Sequence, residues 1–98
     1  MLNSELYSKI YGKITTDLIN HKTTRFTIDQ KQCYMSCITS GLPICLRLYW
    51  EIDRNNEIPL YDFYLKGPLV IGQMGQTNID IDIKQMRQLL IQIYNQIC

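Results

Sequence analysis

The hydrophobic period of the chain changes twice, and this constrains the fold more than any other feature. Apolar residues recur at spacings of three and four over residues 4–21 and again over 83–97, as in amphipathic helices. Between these segments, apolar and polar residues alternate with the period of two that half-buried strands show. The order of helix, strands and helix predicts an α+β fold.

The middle of the chain holds a series of alternating runs separated by short turns. The strongest run, Ile44–Ile52, alternates without exception. Consecutive strands joined by short turns pair antiparallel, so we predict an antiparallel sheet of about four strands. Residues 69–71 could add a short last strand, and residues 72–76 are predicted to be a loop. The predicted turns lie at residues 30–32, 40–43, 53–56 and 67–68.

The N-terminal and C-terminal helices are expected to pack on one face of this sheet. Pro59 indicates an edge position or a bulge in its strand, and Thr77–Asp80 has the form of a helix-capping box. Trp50 is expected to be largely buried. The expected contacts with the sheet residues Ile44, Leu46, Leu48 and Trp50 come from Tyr7, Tyr11, Ile14 and Leu18 and from Met86, Leu90 and Ile93, with Lys9, Lys13 and Asp17 on the solvated side of the first helix.

Length and charge limit the classes of protein to consider. The 98 residues predict one domain, residues 1–98, with a net charge of +1 at pH 7. No segment approaches the roughly 18 consecutive apolar residues that a membrane-spanning helix needs. The first residues lack the apolar core of a secretory signal. We therefore expect a cytoplasmic protein that does not associate with membranes.

The four cysteines and the single histidine do not predict a metal site. A zinc site would have to use Cys33, Cys37, Cys45 and His21, but structural zinc sites favour close cysteine pairs at turns. On one strand, Cys33 and Cys37 would stand roughly 13 Å apart, too far for one ion. We interpret the thiols as small buried hydrophobic groups and His21 as a helix-capping residue. No metal and no cofactor are expected.

The sequence offers little support for catalysis. Gly67 and Gly72 have the spacing of a phosphate-binding loop, but Gln73 occupies the position that lysine would need. Nucleophilic catalysis by Cys37 or Cys45 would require His21 as the base, and nothing in the sequence brings them together. We therefore predict no catalytic residues and a non-enzymatic protein. A thiol-dependent enzyme remains the weakest alternative.

The sheet face away from the helices carries the candidate binding residues. Alternation places Tyr34, Arg47, Tyr49 and Tyr64 on this face, and tyrosine and arginine are enriched at protein interfaces. The sequence thus predicts a protein-interaction module with a protein partner of unknown identity. The alternative interpretation is simple pairing of tyrosines across neighbouring strands of a solvated face.

Two further expectations concern partners. Surplus apolar and aromatic surface on so short a chain favours a homodimer. The second function to consider is nucleic-acid binding by the same face, although the chain has no dense cluster of basic residues. The basic residues that would assist it are Lys9, Lys13, Lys22 and Arg25.

Composition adds a hint about origin. The chain has 15 Ile and 11 Leu but one Val and no Ala, which favours an A+T-rich gene. Phages, plasmids, other mobile elements and low-GC bacteria have such genes. An inhibitor, immunity or accessory protein of a mobile element would fit, and chance bias in a short chain is the other interpretation.

Overall fold

A computed structural model describes residues 3–39, 41–74 and 83–98. The strands form a single antiparallel sheet in the order β1-β2-β3-β4-β5. The α+β class with a helix at each end is confirmed, and the sheet has five strands rather than about four because β5 pairs with β4. The elements are α1 (Asn3–Ile19), β1 (Arg25–Ile28), β2 (Lys31–Thr39), β3 (Ile44–Asp53), β4 (Asn56–Lys66), β5 (Leu69–Met74) and α2 (Ile83–Ile97).

The β1–β2 and β4–β5 hairpins each have a two-residue turn, which sets the register of the two strands. The first turn is Asp29–Gln30, whose φ angles of 48° and 65° are those a type I′ hairpin needs. The predicted turn at 30–32 was therefore wrong, because residues 31 and 32 already pair in β2. The β4–β5 turn is Gly67–Pro68, where Gly67 has a φ of 59°. Glycine adopts this positive φ without the steric cost that a side chain would add.

The core lies between the helices and one face of the sheet, which we call the inner face. This core confirms the apolar face predicted for α2 and most of the apolar face predicted for α1. Burial of each large apolar side chain contributes about 1.5–3 kcal/mol. The buried residues are Leu6, Tyr7, Ile10 and Ile14 from α1; Met86, Leu90, Ile93 and Ile97 from α2; and Phe26, Ile28, Cys33, Met35, Leu46, Leu48, Tyr61, Phe63 and Val70 from the strands.

The last turn of α1 departs from the predicted pattern. Leu18 was expected in the core but is 50% exposed, whereas Asp17 was expected in solvent and is buried. The Asp17 carboxylate accepts hydrogen bonds from the Thr24 hydroxyl and the Lys13 ammonium group, which both lower its pKa. These contacts turn the helix end toward the chain leading into β1. His21 follows with a φ of 57°, the left-handed conformation typical of a residue just beyond a helix.

The prediction that Trp50 is largely buried was wrong. The preceding residue, Tyr49, pairs with Pro59, whereas Leu48 pairs with Tyr61, so β4 carries a bulge at this point. The bulge confirms the expectation for Pro59. Beyond the bulge, no described residue of β5 pairs with β4, and Trp50 is only half-buried. The Lys31 ammonium group lies 4.8 Å from the centre of the indole ring and covers it instead of a helix.

Several sequence predictions concern the end of the sheet and the start of α2. Gly72–Met74 was predicted to be a loop but belongs to β5. The remainder of that predicted loop and the Thr77–Asp80 capping box lie outside the described residues. Within the described segments, no helix has both the length and the apolar character needed to cross a membrane.

Candidate functional site

The four predicted binding residues lie together on the face of the sheet opposite the helices, which we call the outer face. Tyr34 in β2 stands directly across from Tyr49 in β3. Arg47 lies two residues before Tyr49, and Tyr64 lies on the neighbouring strand β4. All four side chains are half-buried. The strand alternation seen in the sequence therefore located this cluster correctly.

Tyr34 and Tyr49 form a stacked pair. Their ring centres are 5.0 Å apart and the ring planes differ by 15°. The Tyr34 hydroxyl donates a hydrogen bond to the Glu57 carboxylate. Burial raises the pKa of Tyr34, and the neighbouring Glu57 raises it further. This is the cross-strand pairing of the alternative interpretation, and it holds two aromatic rings in a fixed orientation at the surface.

Arg47 is held in place by Asp62, which lies directly opposite on β4. Arg47 Nε donates to Asp62 Oδ1 at 2.7 Å, and Nη2 donates to Oδ2 at 3.1 Å. Asp62 is only 7% exposed, and this carboxylate raises the pKa of Arg47. The Tyr64 hydroxyl also donates to Asp62 Oδ2, at 3.4 Å. The two-point contact fixes the guanidinium plane and balances its charge.

Cys45 is buried beneath this cluster, although it belongs to the outer face. It pairs with Tyr64 across β3 and β4 and is 2% exposed. Burial raises the pKa of its thiol, and the Asp62 carboxylate adds to this effect. The burial of Cys45 agrees with the interpretation of the thiols as small buried hydrophobic groups. Alternation along β3 had already grouped Cys45 with Arg47 and Tyr49.

An apolar groove adjoins the cluster at the end of the sheet that holds the β2–β3 and β4–β5 turns. Its volume is about 730 Å³. Leu42, at its rim, is 93% exposed, and Tyr64 belongs both to the groove and to the outer-face cluster. Sequence reasoning missed the groove because its walls combine two predicted turns, a predicted loop residue and residues of predicted strands that are distant in sequence. Its lining residues are Leu42, Pro43, Tyr64, Leu65, Lys66, Gly67, Ile71 and Gln73.

The basic residues considered for nucleic-acid binding are not gathered on the outer face. The Lys9 ammonium group lies over the Tyr94 ring at 5.7 Å, and Lys13 is paired with Asp17. Both lysines belong to α1, which covers the inner face. Arg25 does border the outer face, where its Nε lies 3.2 Å from Glu51 Oε2. Neighbouring groups therefore already engage three of the four basic residues.

The structure does not assemble the thiols and His21 into a site. His21 is exposed just beyond α1, whereas Cys37 and Cys45 lie on β2 and β3. Burial raises the thiol pKa of both cysteines, which disfavours the reactive thiolate. Among the described residues, no group of three or more His, Cys, Asp or Glu side chains is placed to hold a metal ion.

No protein-family model, curated protein or solved structure matches this chain.

Proposed function

We propose that this protein is a small non-enzymatic interaction module that binds a protein partner through its outer face. The observation that carries the proposal is the continuity of the Tyr34–Tyr49 stack, the Arg47–Asp62 pair and Tyr64 with the apolar groove. Half-buried aromatic rings beside a fixed guanidinium group form the kind of surface on which protein-binding energy concentrates.

The contacts within the outer face lower the conformational cost of binding. Stacking fixes the two tyrosine rings, and two hydrogen bonds fix the Arg47 side chain. Ordering a rotamer-rich side chain costs about 0.5–1.5 kcal/mol when a complex forms. Side chains already ordered in the free protein avoid much of this cost. The groove beside Tyr64 then offers an apolar cavity to a side chain of the partner.

The balance of charge favours a protein over a nucleic acid. Asp62, Glu51 and Glu57 lie among the basic and aromatic groups of the outer face. Phosphate binding depends on uncompensated lysine and arginine, and here the two arginines are each paired with a carboxylate. A cytoplasmic inhibitor, immunity or accessory protein of a phage or mobile element agrees with the small size and the Ile-rich composition.

A comparative binding experiment tests this proposal. Nuclease-treated extract of the native host is passed over the immobilised wild-type chain, the Tyr49→Ala variant and the Tyr94→Ala variant, and retained proteins are identified by mass spectrometry. Tyr94 is the matched control because it is a half-buried tyrosine on α2. We expect a partner that wild type and Tyr94→Ala retain and Tyr49→Ala loses.

Two results would contradict the proposal. Equal retention of every protein by Tyr49→Ala would exclude the outer face as the binding surface. Retention of nucleic acid from untreated extract, with steep loss as salt rises, would favour the nucleic-acid alternative. Circular dichroism of each variant establishes that it is folded before binding is compared.

A further inference from the structure

The two edge strands of the sheet, β1 and β5, differ in how their outward backbone groups are satisfied. An edge strand directs the N–H and C=O of every second residue away from the sheet. Residues that flank a two-residue turn hydrogen-bond to each other, so the direction alternates from that pair onward. The pairing register of each edge strand therefore identifies its outward residues.

On β1 the outward residues are Thr27 and Arg25, because Ile28 and Lys31 flank the turn. The backbone groups of Thr27 are both occupied by the side chain of Gln96 from α2. The Thr27 N–H donates to Gln96 Oε1 at 2.7 Å, and Gln96 Nε2 donates to the Thr27 carbonyl at 2.8 Å. The carboxamide thus takes the place of a neighbouring strand, and this edge is closed at Thr27.

On β5 the outward residues are Val70, Gly72 and Met74, because Lys66 and Leu69 flank the turn. In the described part of the chain, no hydrogen bond to the outward groups of Val70 or Gly72 is present. The strand carries no charged residue and no proline, the features by which edge strands resist pairing. Its side chains include two exposed apolar groups, Leu69 and Ile71.

We propose that β5 pairs antiparallel with β5 of a second copy of this chain, about a two-fold axis at Gly72. Val70 then lies opposite Met74 of the second copy, and Gly72 lies opposite Gly72. Three such residue pairs would form about six hydrogen bonds between the strands. This inference concerns the edge of the sheet and stands independently of the proposed partner on the outer face.

Several features favour a second copy over a different strand. An uncharged strand meets no opposing like charge when it pairs with itself. Ile71 and Gln73 line the apolar groove and belong to β5, so pairing joins the two grooves across the axis. A standard interface takes about 800 Å² from each partner, which is about one eighth of the 6480 Å² surface of this chain.

A pair of isoleucine variants tests the inference. Ile71 on β5 is 45% exposed, and Ile58 at the opposite end of β4 is 42% exposed. In the proposed pair, residue 71 of one copy and residue 71 of the other are diagonal neighbours, about 7–8 Å apart. In Ile71→Lys, two positive charges would therefore repel each other across the interface. Sedimentation equilibrium should give twice 11.6 kDa for wild type and for Ile58→Lys. Ile71→Lys should give the mass of one chain while keeping the circular dichroism and melting behaviour of a folded protein.

Hydrogen exchange supplies a readout that does not depend on substitution. The Gly72 amide of wild type should exchange more slowly as protein concentration rises, because only the second copy protects it. A mass of 11.6 kDa up to submillimolar concentration would overturn the inference. A dimer that Ile58→Lys disrupts and Ile71→Lys preserves would overturn it too. Neither result would alter the retention of a partner that depends on Tyr49.

Discussion

Side chains on the inner and outer faces of the sheet are shielded from solvent in different ways. On the inner face, side chains such as Phe63 and Leu46 are fully covered by the helices. On the outer face, Arg47, Asp62 and the tyrosines cover one another without an additional layer. The comparison indicates that stability depends mainly on the inner face, and the proposed partner would bind the outer face, whose side chains remain partly exposed.

The largest expected effect comes from Phe63→Ala on the inner face. Removing a fully buried aromatic side chain should lower the free energy of unfolding by about 3–5 kcal/mol, since a cavity remains. Trp50→Ala should cost clearly less, because Trp50 is half-buried beyond the bulge. Urea unfolding of both variants measures the difference. Equal losses of stability would mean that the hydrophobic core extends to Trp50.

Two buried tyrosines of the inner face should respond in opposite directions to loss of the hydroxyl. The Tyr7 hydroxyl is shared between the carbonyls of Ile44 at 3.0 Å and Phe63 at 3.2 Å. Tyr7→Phe should therefore lose about 1–3 kcal/mol of stability. Among the residues that the structure describes, the buried Tyr61 hydroxyl has no hydrogen-bond partner, so Tyr61→Phe should be neutral or stabilising by about 1 kcal/mol.

Alkaline titration sharpens this prediction. Burial raises the pKa of Tyr61 from 10.0 to about 12. The folded state favours the neutral phenol over the phenolate. The resulting contribution to the free energy of unfolding is complete below pH 10 and is lost as pH rises through about 12. Tyr61→Phe should remove this part of the alkaline loss of stability. A Tyr61→Phe protein with lower stability at neutral pH would show that the hydroxyl has a partner after all.

The Arg47–Asp62 pair should make an intermediate contribution to the free energy of unfolding. A double-mutant cycle with Arg47→Met and Asp62→Asn should give a coupling energy of about 1 kcal/mol. Both hydrogen bonds are charge-assisted, but Arg47 is one-third exposed, so solvent screens the attraction. The measurement is chemical unfolding of the four proteins at low and high salt. A coupling as large as the Phe63→Ala loss would contradict the division between the faces.

The smallest expected effect on stability belongs to the Tyr34–Tyr49 stack. Stacked pairs contribute about 0.5–1.5 kcal/mol beyond their buried area, and these rings are partly solvated. Tyr49→Phe should therefore change the melting temperature little, because it retains the ring. Tyr49→Ala should cost about 1 kcal/mol and remove partner binding. A loss of stability in Tyr49→Ala comparable to that of Phe63→Ala would make Tyr49 a structural residue.

The sequence allowed prediction of those features that depend on local pattern. Alternation and helical spacing gave the class, most strand positions, the α2 stripe and the grouping of Tyr34, Arg47, Tyr49 and Tyr64. Features set by contacts distant in sequence were missed. The half-burial of Trp50 accompanies a bulge in β4, which depends on pairing between strands, and the burial of Asp17 depends on Thr24. The groove requires residues 42, 64 and 71 to meet, which periodicity alone cannot show.

The Gln96 side chain on the β1 edge has a consequence for growth of assemblies. A molecule with two open ends is bifunctional, and its association propagates into chains of indefinite length. A molecule with one open end is monofunctional, so the first association event consumes the only reactive end. If two β5 strands join as proposed, both termini of the ten-stranded sheet are β1 edges on which the Gln96 carboxamide occupies the backbone of Thr27. Such an edge resists further strand pairing, so the proposed association would stop at two copies.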